Sequence, residues 1–187
     1  MSRQKANYIM PHVTEYIQTV PVEMRLWEFQ IDNADAINKL IIDVLQEQGD
    51  RKQSSTNVKA QMSEWNMLEY EPFKVVADRA QEVVREWYHT RAGIILNTNV
   101  TACWGAVYRK GDYTINHAHL PDSYSFVYYP KAEENCAPLV IQGYSYQPKT
   151  GYGLIFPSWA DHFVPKTFLD DDRVVVAGNM EVSAQRD

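Results

Sequence analysis

The sequence predicts an α+β fold, mainly β: an antiparallel sandwich or jelly roll with supporting N-terminal helices packed on its outside. Three observations carry this. Apolar residues at helical spacing are confined to the chain before residue 93. Short β-branched and aromatic runs, separated by turn residues at fairly regular intervals, fill the chain from residue 94 onward. Helices come first and strands follow, which is the order of α+β rather than of an alternating α/β sheet. The 187 residues fit one domain. Within 1–187, residues 1–93 supply helical support and a strand, and residues 94–183 form the jelly-roll core that carries the site.

The elements follow in order. Val20 to Ile31, with Leu26, Phe29 and Ile31 apolar, reads as a strand of unfixed register. Asp32, Asn33 and Asp35 offer N-cap residues, Ile37, Leu40, Ile41, Val44 and Leu45 recur at helical spacing, and Gly49 is the stop. A helix near 33–48 results, and the polar stretch Asp50 to Thr56 is a loop. Pro72 suits the first turn of a second helix near 72–91, with Val76, Ala80, Val83, Val84 and Trp87 on one face and an end before Gly93. Strands are then expected at Ile94–Tyr108, Tyr113–His119, Tyr124–Tyr129, Leu139–Ile141, Gly153–Phe156, His162–Pro165 and Arg173–Val182. Lys110-Gly111-Asp112 is a turn.

Composition excludes several classes. The net charge of -6 argues against a protein that wraps nucleic acid without sequence preference. The two cysteines, Cys103 and Cys136, have no zinc-type spacing and read as buried thiols in a reducing compartment. No apolar run approaches the ~20 residues of a membrane span. Met1-Ser2-Arg3-Gln4-Lys5 leads into no apolar stretch of the secretory kind, so a soluble, cytoplasmic protein is expected.

Asn116-His117-Ala118-His119 ends an alternating segment. Side chains two apart in a strand share a face, so His117 and His119 address one space. Two neutral imidazoles there suit iron, zinc, copper or nickel. The same spacing also describes two surface histidines at a strand end. A third histidine, His162, follows Phe156-Pro157-Ser158-Trp159, where Pro157 ends a ladder and Trp159 packs. Alone it reads as a loop histidine capping a turn. The chain has five histidines, and the other two, His12 and His89, stand outside the pattern. Arg173 follows three aspartates, Asp170 to Asp172, and opens the run Val174-Val175-Val176. It is either a surface ion pair with those acids or an inward guanidinium. In the second case it holds a carboxylate in two-pronged fashion, and the far end of a dicarboxylic acid chelates the metal. Tyr108 and Tyr129 either add hydroxyls to that anion or simply pack, as Trp104 does.

The ordered set Trp104-Gly105-Ala106-Val107-Tyr108-Arg109-Lys110-Gly111-Asp112, His117-Ala118-His119, Ser125-Phe126-Val127-Tyr128-Tyr129, Gly153 to Trp159, His162, and Arg173 through Asn179 resembles the iron(II)/2-oxoglutarate-dependent oxygenases. Within them it resembles a prolyl-hydroxylase-like branch found in bacteria and bacteriophages. The match spans roughly residues 100 to 180, and residues 1 to 93 carry none. The resemblance implies a double-stranded β-helix with iron near one open end. It puts His117 in the first ligand position, His162 in the distal one, and Arg173 on the far carboxylate of 2-oxoglutarate, with Tyr108 and Tyr129 lining that pocket. Two positions depart from the pattern. His119 stands where most relatives place Asp or Glu, so either the site is three-histidine or Asp122 binds instead. Phe126 replaces a glycine and adds bulk beside the site.

The implied activity is a dioxygenase that hydroxylates a C–H bond of a peptide, protein or small molecule. It would use Fe(II), 2-oxoglutarate and O₂, with ascorbate as a compatible reductant, and release succinate and CO₂. Nucleic acid and membrane partners are not expected, a homodimer is compatible, and a phage-encoded member would act in the host cytoplasm. Two other readings remain open: a metal-binding cupin-like enzyme that ignores 2-oxoglutarate, and a non-catalytic jelly-roll interaction protein.

Overall fold

The computed structural model describes residues 23–48, 56–166, 168 and 173–185. In chain order these form β1 (Trp27–Gln30), α1 (Ala34–Gln48), β2 (Val58–Lys59), β3 (Gln61–Met62), a single 3-10 turn (Met67–Glu69) and α2 (Glu71–Ala92). The strands β4 (Leu96–Tyr108), β5 (Tyr113–His117), β6 (Tyr124–Lys131), β7 (Leu139–Ile141), β8 (Tyr144–Tyr146), β9 (Tyr152–Pro157), β10 (His162–Val164) and β11 (Arg173–Ala184) complete it. They make a six-stranded sheet, ordered β1-β9-β6-β11-β4-β3, and a five-stranded sheet, ordered β2-β5-β10-β7-β8. Every strand pairing is antiparallel.

The larger sheet is buried on both faces, which explains its unbroken apolar runs. In β11, Val174 and Val176 join a cluster with Ile41, Leu45, Phe73, Val76 and Val84 from the two helices. Val175, between them, joins the interior cluster with Trp104, Tyr129, Leu139, Phe156 and Val164. Successive strand residues point to opposite faces, so a strand covered on both sides needs apolar groups at every position. Arg173 shares its face with Val175 and therefore enters the space between the sheets. Gly105 in β4 shows how closely α1 sits, since a Cβ there would lie 2.6 Å from Leu45 Cδ2.

The helices arise where their signals lie. Pro72 is in the first turn of α2, and Gly93 closes it in the left-handed region at φ 64°. The Gly93 N–H donates to the His89 carbonyl, and the Ile94 N–H to that of Tyr88. The expected strand at Val20–Ile31 is reduced to Trp27–Gln30, its first residues lying outside the described ones. Gly49 and most of the expected loop at Asp50–Thr56 also lie outside them. The strand expected at Tyr113–His119 ends at His117, because the His119 N–H donates to the Ser158 carbonyl and leaves the ladder. β2, β3 and β8 have no counterpart among the expected elements. Strands of two or three residues are too short to show a period. Both cysteines are buried free thiols. Among the described residues no helix is long and apolar enough to cross a membrane.

Candidate metal and anion site

β10 lies between β5 and β7, and its first residue, His162, is in register with His117 on one side and Ile141 on the other. The β5–β10 register then slips: His162 opposes His117, but Val164 opposes Thr114. Two steps on β10 thus face three on β5, so β5 carries one extra residue. Such a bulge re-aims side chains. Here it lets Thr114 and His117 both line one cavity although they are three apart, and it turns Ile115 outward at 44% exposure. His119 joins from the loop beyond, held by its backbone bond to Ser158.

The three histidines converge. Their candidate ligand nitrogens all lie within 4.8 Å of one another, and the ring centres are 4.7, 4.3 and 5.1 Å apart for the pairs 117–119, 117–162 and 119–162. One ion with bonds of ~2.1–2.2 Å spans such a set after small ring rotations. Two rings are oriented by their own backbone. His117 Nδ1 lies 2.7 Å from the Ile115 carbonyl oxygen, and His162 Nδ1 lies 2.9 Å from that of Ala160. A carbonyl only accepts, so Nδ1 carries the proton in each and Nε2 presents its lone pair to the shared space. The rings are also kept uncharged. Burial pushes His162 down to about 4, against its Ala160 hydrogen bond. Burial, with the other two histidines adding repulsion, pushes His119 down to about 3. Burial lowers His117 as well. Neutral imidazole is the ligating form.

Asp122 is not among the residues whose ligand atoms gather in this cluster. Its Oδ1 accepts a 2.7 Å hydrogen bond from Thr101, and its N–H donates to the His119 carbonyl. The turn after His119 points this carboxylate at β4. Trp159, expected to pack, is instead 45% exposed, while Ser158 before it is fully buried. Phe126 lines the cavity of the histidines and packs into the helix-side cluster, its ring beside Gly178, where a Cβ would lie 2.4 Å from Phe126 Cζ. Trp104 is core and also flanks the site, with its ring centre 5.9 Å from that of His119.

The same cavity, with a free volume of ≈ 60 Å³, reaches from the histidines to Arg173. Arg173 is 2% exposed, an inward guanidinium rather than a surface one, while Asp170 to Asp172, the acids of the alternative ion pair, lie outside the described residues. Its guanidinium carbon is 4.8 Å from the Tyr108 ring centre and 5.1 Å from that of Tyr129. Its Nε and Nη1 are buried without hydrogen-bond partners, as is the Tyr129 hydroxyl. Burial holds the Tyr129 hydroxyl protonated, pushed up to about 12 although the Arg173 charge opposes this, so it remains a donor. The Tyr108 hydroxyl differs, being 2.7 Å from Thr114 Oγ1. The sequence does not show Thr114 as a site residue, because alternation counted back from His117 places it outside and only the bulge turns it in. A buried guanidinium without an acceptor is costly, so Arg173, which lines the cavity with two unbonded N–H groups, calls for an anion there.

No protein-family model and no curated protein matches the chain. Solved structures do. The viral collagen prolyl hydroxylase of Paramecium bursaria Chlorella virus-1, in its 2OG complex, superposes with a TM-score of 0.62 at 15% identity, over 83% of this chain and 94% of that one. The fold is shared. A Pseudomonas putida prolyl-4-hydroxylase gives a TM-score of 0.61 at 15% identity, over 83% and 91% of the two chains. The non-heme alpha-ketoglutarate-dependent epimerase SnoN from nogalamycin biosynthesis gives 0.63 at 7% identity, over 86% and 80%. The chain therefore has the jelly-roll fold of 2-oxoglutarate oxygenases, and its histidine cluster and inward arginine stand within that fold.

Proposed function

We propose that the protein is an Fe(II)- and 2-oxoglutarate-dependent dioxygenase. The observation that carries the reading is the unpartnered buried Arg173 in one cavity with three converging neutral histidines. His117 and His162, through Nε2, and His119 would hold the metal. Arg173 Nε and Nη1, with the Tyr129 hydroxyl, would hold the far carboxylate of the co-substrate, and the Tyr108 ring walls that pocket. Iron(II) bound there would supply oxidative decarboxylation of 2-oxoglutarate to succinate and CO₂, with the second oxygen atom of O₂ going to a substrate C–H bond.

 The Ile115 and Ala160 carbonyls hold both Nε2 atoms inward, and the two sheets exclude water from Arg173. The substrate is a peptide, protein or small molecule. Two neighbours named as prolyl hydroxylases favour a prolyl peptide, whereas the epimerase shows that the fold alone does not set the reaction.

The deciding experiment measures succinate formed from 2-oxoglutarate under O₂ with Fe(II) and ascorbate, with Arg173→Ala as the control. Turnover that is lost in the variant is the expected result. If folded, iron-loaded protein binds no 2-oxoglutarate, the assignment falls and a cupin-like metal enzyme or a non-catalytic jelly roll takes its place.

A further inference from the structure

Ser125, Ser158 and Asn179 belong to the ordered motif set, yet the metal and co-substrate leave them without a task. They form a buried relay: the two serine hydroxyl oxygens are 2.9 Å apart, and the Ser125 hydroxyl donates to Asn179 Oδ1 at 2.9 Å. With Ser125 donating to Oδ1, Ser158 supplies the proton between the hydroxyls, and Asn179 Nδ2 is the free end. Among the described residues no hydrogen bond engages Nδ2, and Asn179 lines the cavity of the histidines and Arg173.

Asn179 lies six residues beyond Arg173 on the same inward face of β11, about 20 Å along an extended strand. The cavity is thus bounded by a charged donor at one end and a neutral amide donor at the other. The histidines connect to the amide end, since the His119 N–H donates to the Ser158 carbonyl. The backbone bulges here too. Asn179 opposes Ala102 while Met180 opposes Val100, leaving Thr101 as the extra residue.

Three exposed apolar side chains lie next in sequence to, or pack beside, the groups of this end. Trp65, Leu120 and Trp159 are 42%, 72% and 45% exposed. Trp65 packs on Trp104 with ring centres 4.8 Å apart, and Trp104 flanks His119. Leu120 follows His119, and Trp159 follows Ser158.

We propose that Asn179 is a substrate-binding residue: its Nδ2 donates to a carbonyl oxygen of a neutral substrate whose apolar part rests on Trp65, Leu120 and Trp159. A neutral amide suits a carbonyl rather than a carboxylate, and the nearby Asp122 disfavours an anion at this end. What happens to the substrate afterwards rests on the oxygenase reading, but the binding does not.

The test titrates N-acetyl-leucine N-methylamide, an uncharged carbonyl compound with an apolar flank, into ¹⁵N-labelled protein loaded with Zn(II) and 2-oxoglutarate. The Asn179 side-chain NH₂ signals and the Trp65 and Trp159 indole signals should move along one saturation curve. Asn179→Asp keeps the acceptor for Ser125 and removes the donor, so it should weaken binding about three- to tenfold. Asn179→Ser serves if the aspartate variant does not fold. N-acetyl-leucine, with its carboxylate, should bind more weakly than the methylamide. Absence of saturable binding, or binding unchanged in the variants, overturns the proposal. Failure of 2-oxoglutarate to bind, while the amide probe still moves Asn179, overturns the oxygenase reading and leaves this one standing.

Discussion

At the scale of single residues, each site group is set by its immediate neighbours. Arg173→Lys should weaken 2-oxoglutarate binding about tenfold or more, because an ammonium cannot reproduce the two-pronged geometry of the guanidinium. Metal binding, read from the visible spectrum of Co(II)-loaded protein, should be unchanged; loss of both together would remove Arg173 from the co-substrate's pocket. His162→Ala should abolish metal binding measured by calorimetry, and retention of full affinity would contradict its place in the ligand set. The histidines also set a pH dependence for the metal-free protein. His162 and His119 titrate at about 4 and about 3 when folded, below the ~6.5 of an unfolded chain. Below about pH 6.5 the unfolded chain therefore binds protons that the folded one refuses. Stability is full above that pH and falls as pH drops toward 4. Urea midpoints at pH 7.5 and pH 5 measure this, and His119→Gln should flatten the difference. The sequence disclosed the histidines and Arg173, because polar groups stood out at a strand end and at the head of an apolar run. It did not disclose Thr114, whose orientation depends on a bulge in β5 that leaves no periodic mark, or the task of the Asn179 amide, which shows only through the serines it meets in the folded chain.

Elements, rather than residues, decide how tightly the helices and the edge strand close over the larger sheet. Among the described residues β1 pairs only with β9, and Phe29 covers Gly153 so closely that a Cβ there would lie 2.2 Å from Phe29 Cζ. Gly153→Ala should therefore destabilise the protein by about 1–3 kcal/mol in denaturant titration. Phe29→Leu in the same chain should recover part of that loss, and a neutral Gly153→Ala would show that β1 shifts freely. The long helices and strands were legible in the sequence because each repeats its pattern over several turns or pleats. Their ends were less so. β5 stops early because a loop carbonyl, from Ser158, captures the His119 N–H. β2, β3 and β8 gain their strand character only from the partners they meet in the folded chain.

For the whole molecule, metal and fold are linked, since the candidate ligands come from two strands and the loop between β5 and β6. A metal held at a hundred times its dissociation constant adds ~2.7 kcal/mol to stability. Zn(II) should raise the melting temperature of the wild-type protein and leave that of His162→Ala where it was; equal shifts in both would place the metal elsewhere. The order of strands in the larger sheet carries one more consequence. β11 is the last described element to be synthesised, yet it sits between β6 and β4. Until it emerges, the sheet is two fragments, β1-β9-β6 and β4-β3, with the facing edges of β6 and β4 unpaired. A growing chain must therefore hold both fragments apart from other nascent chains until its final segment arrives, so translation that halts before residue 173 leaves a product with two adhesive edges and no central strand to join them.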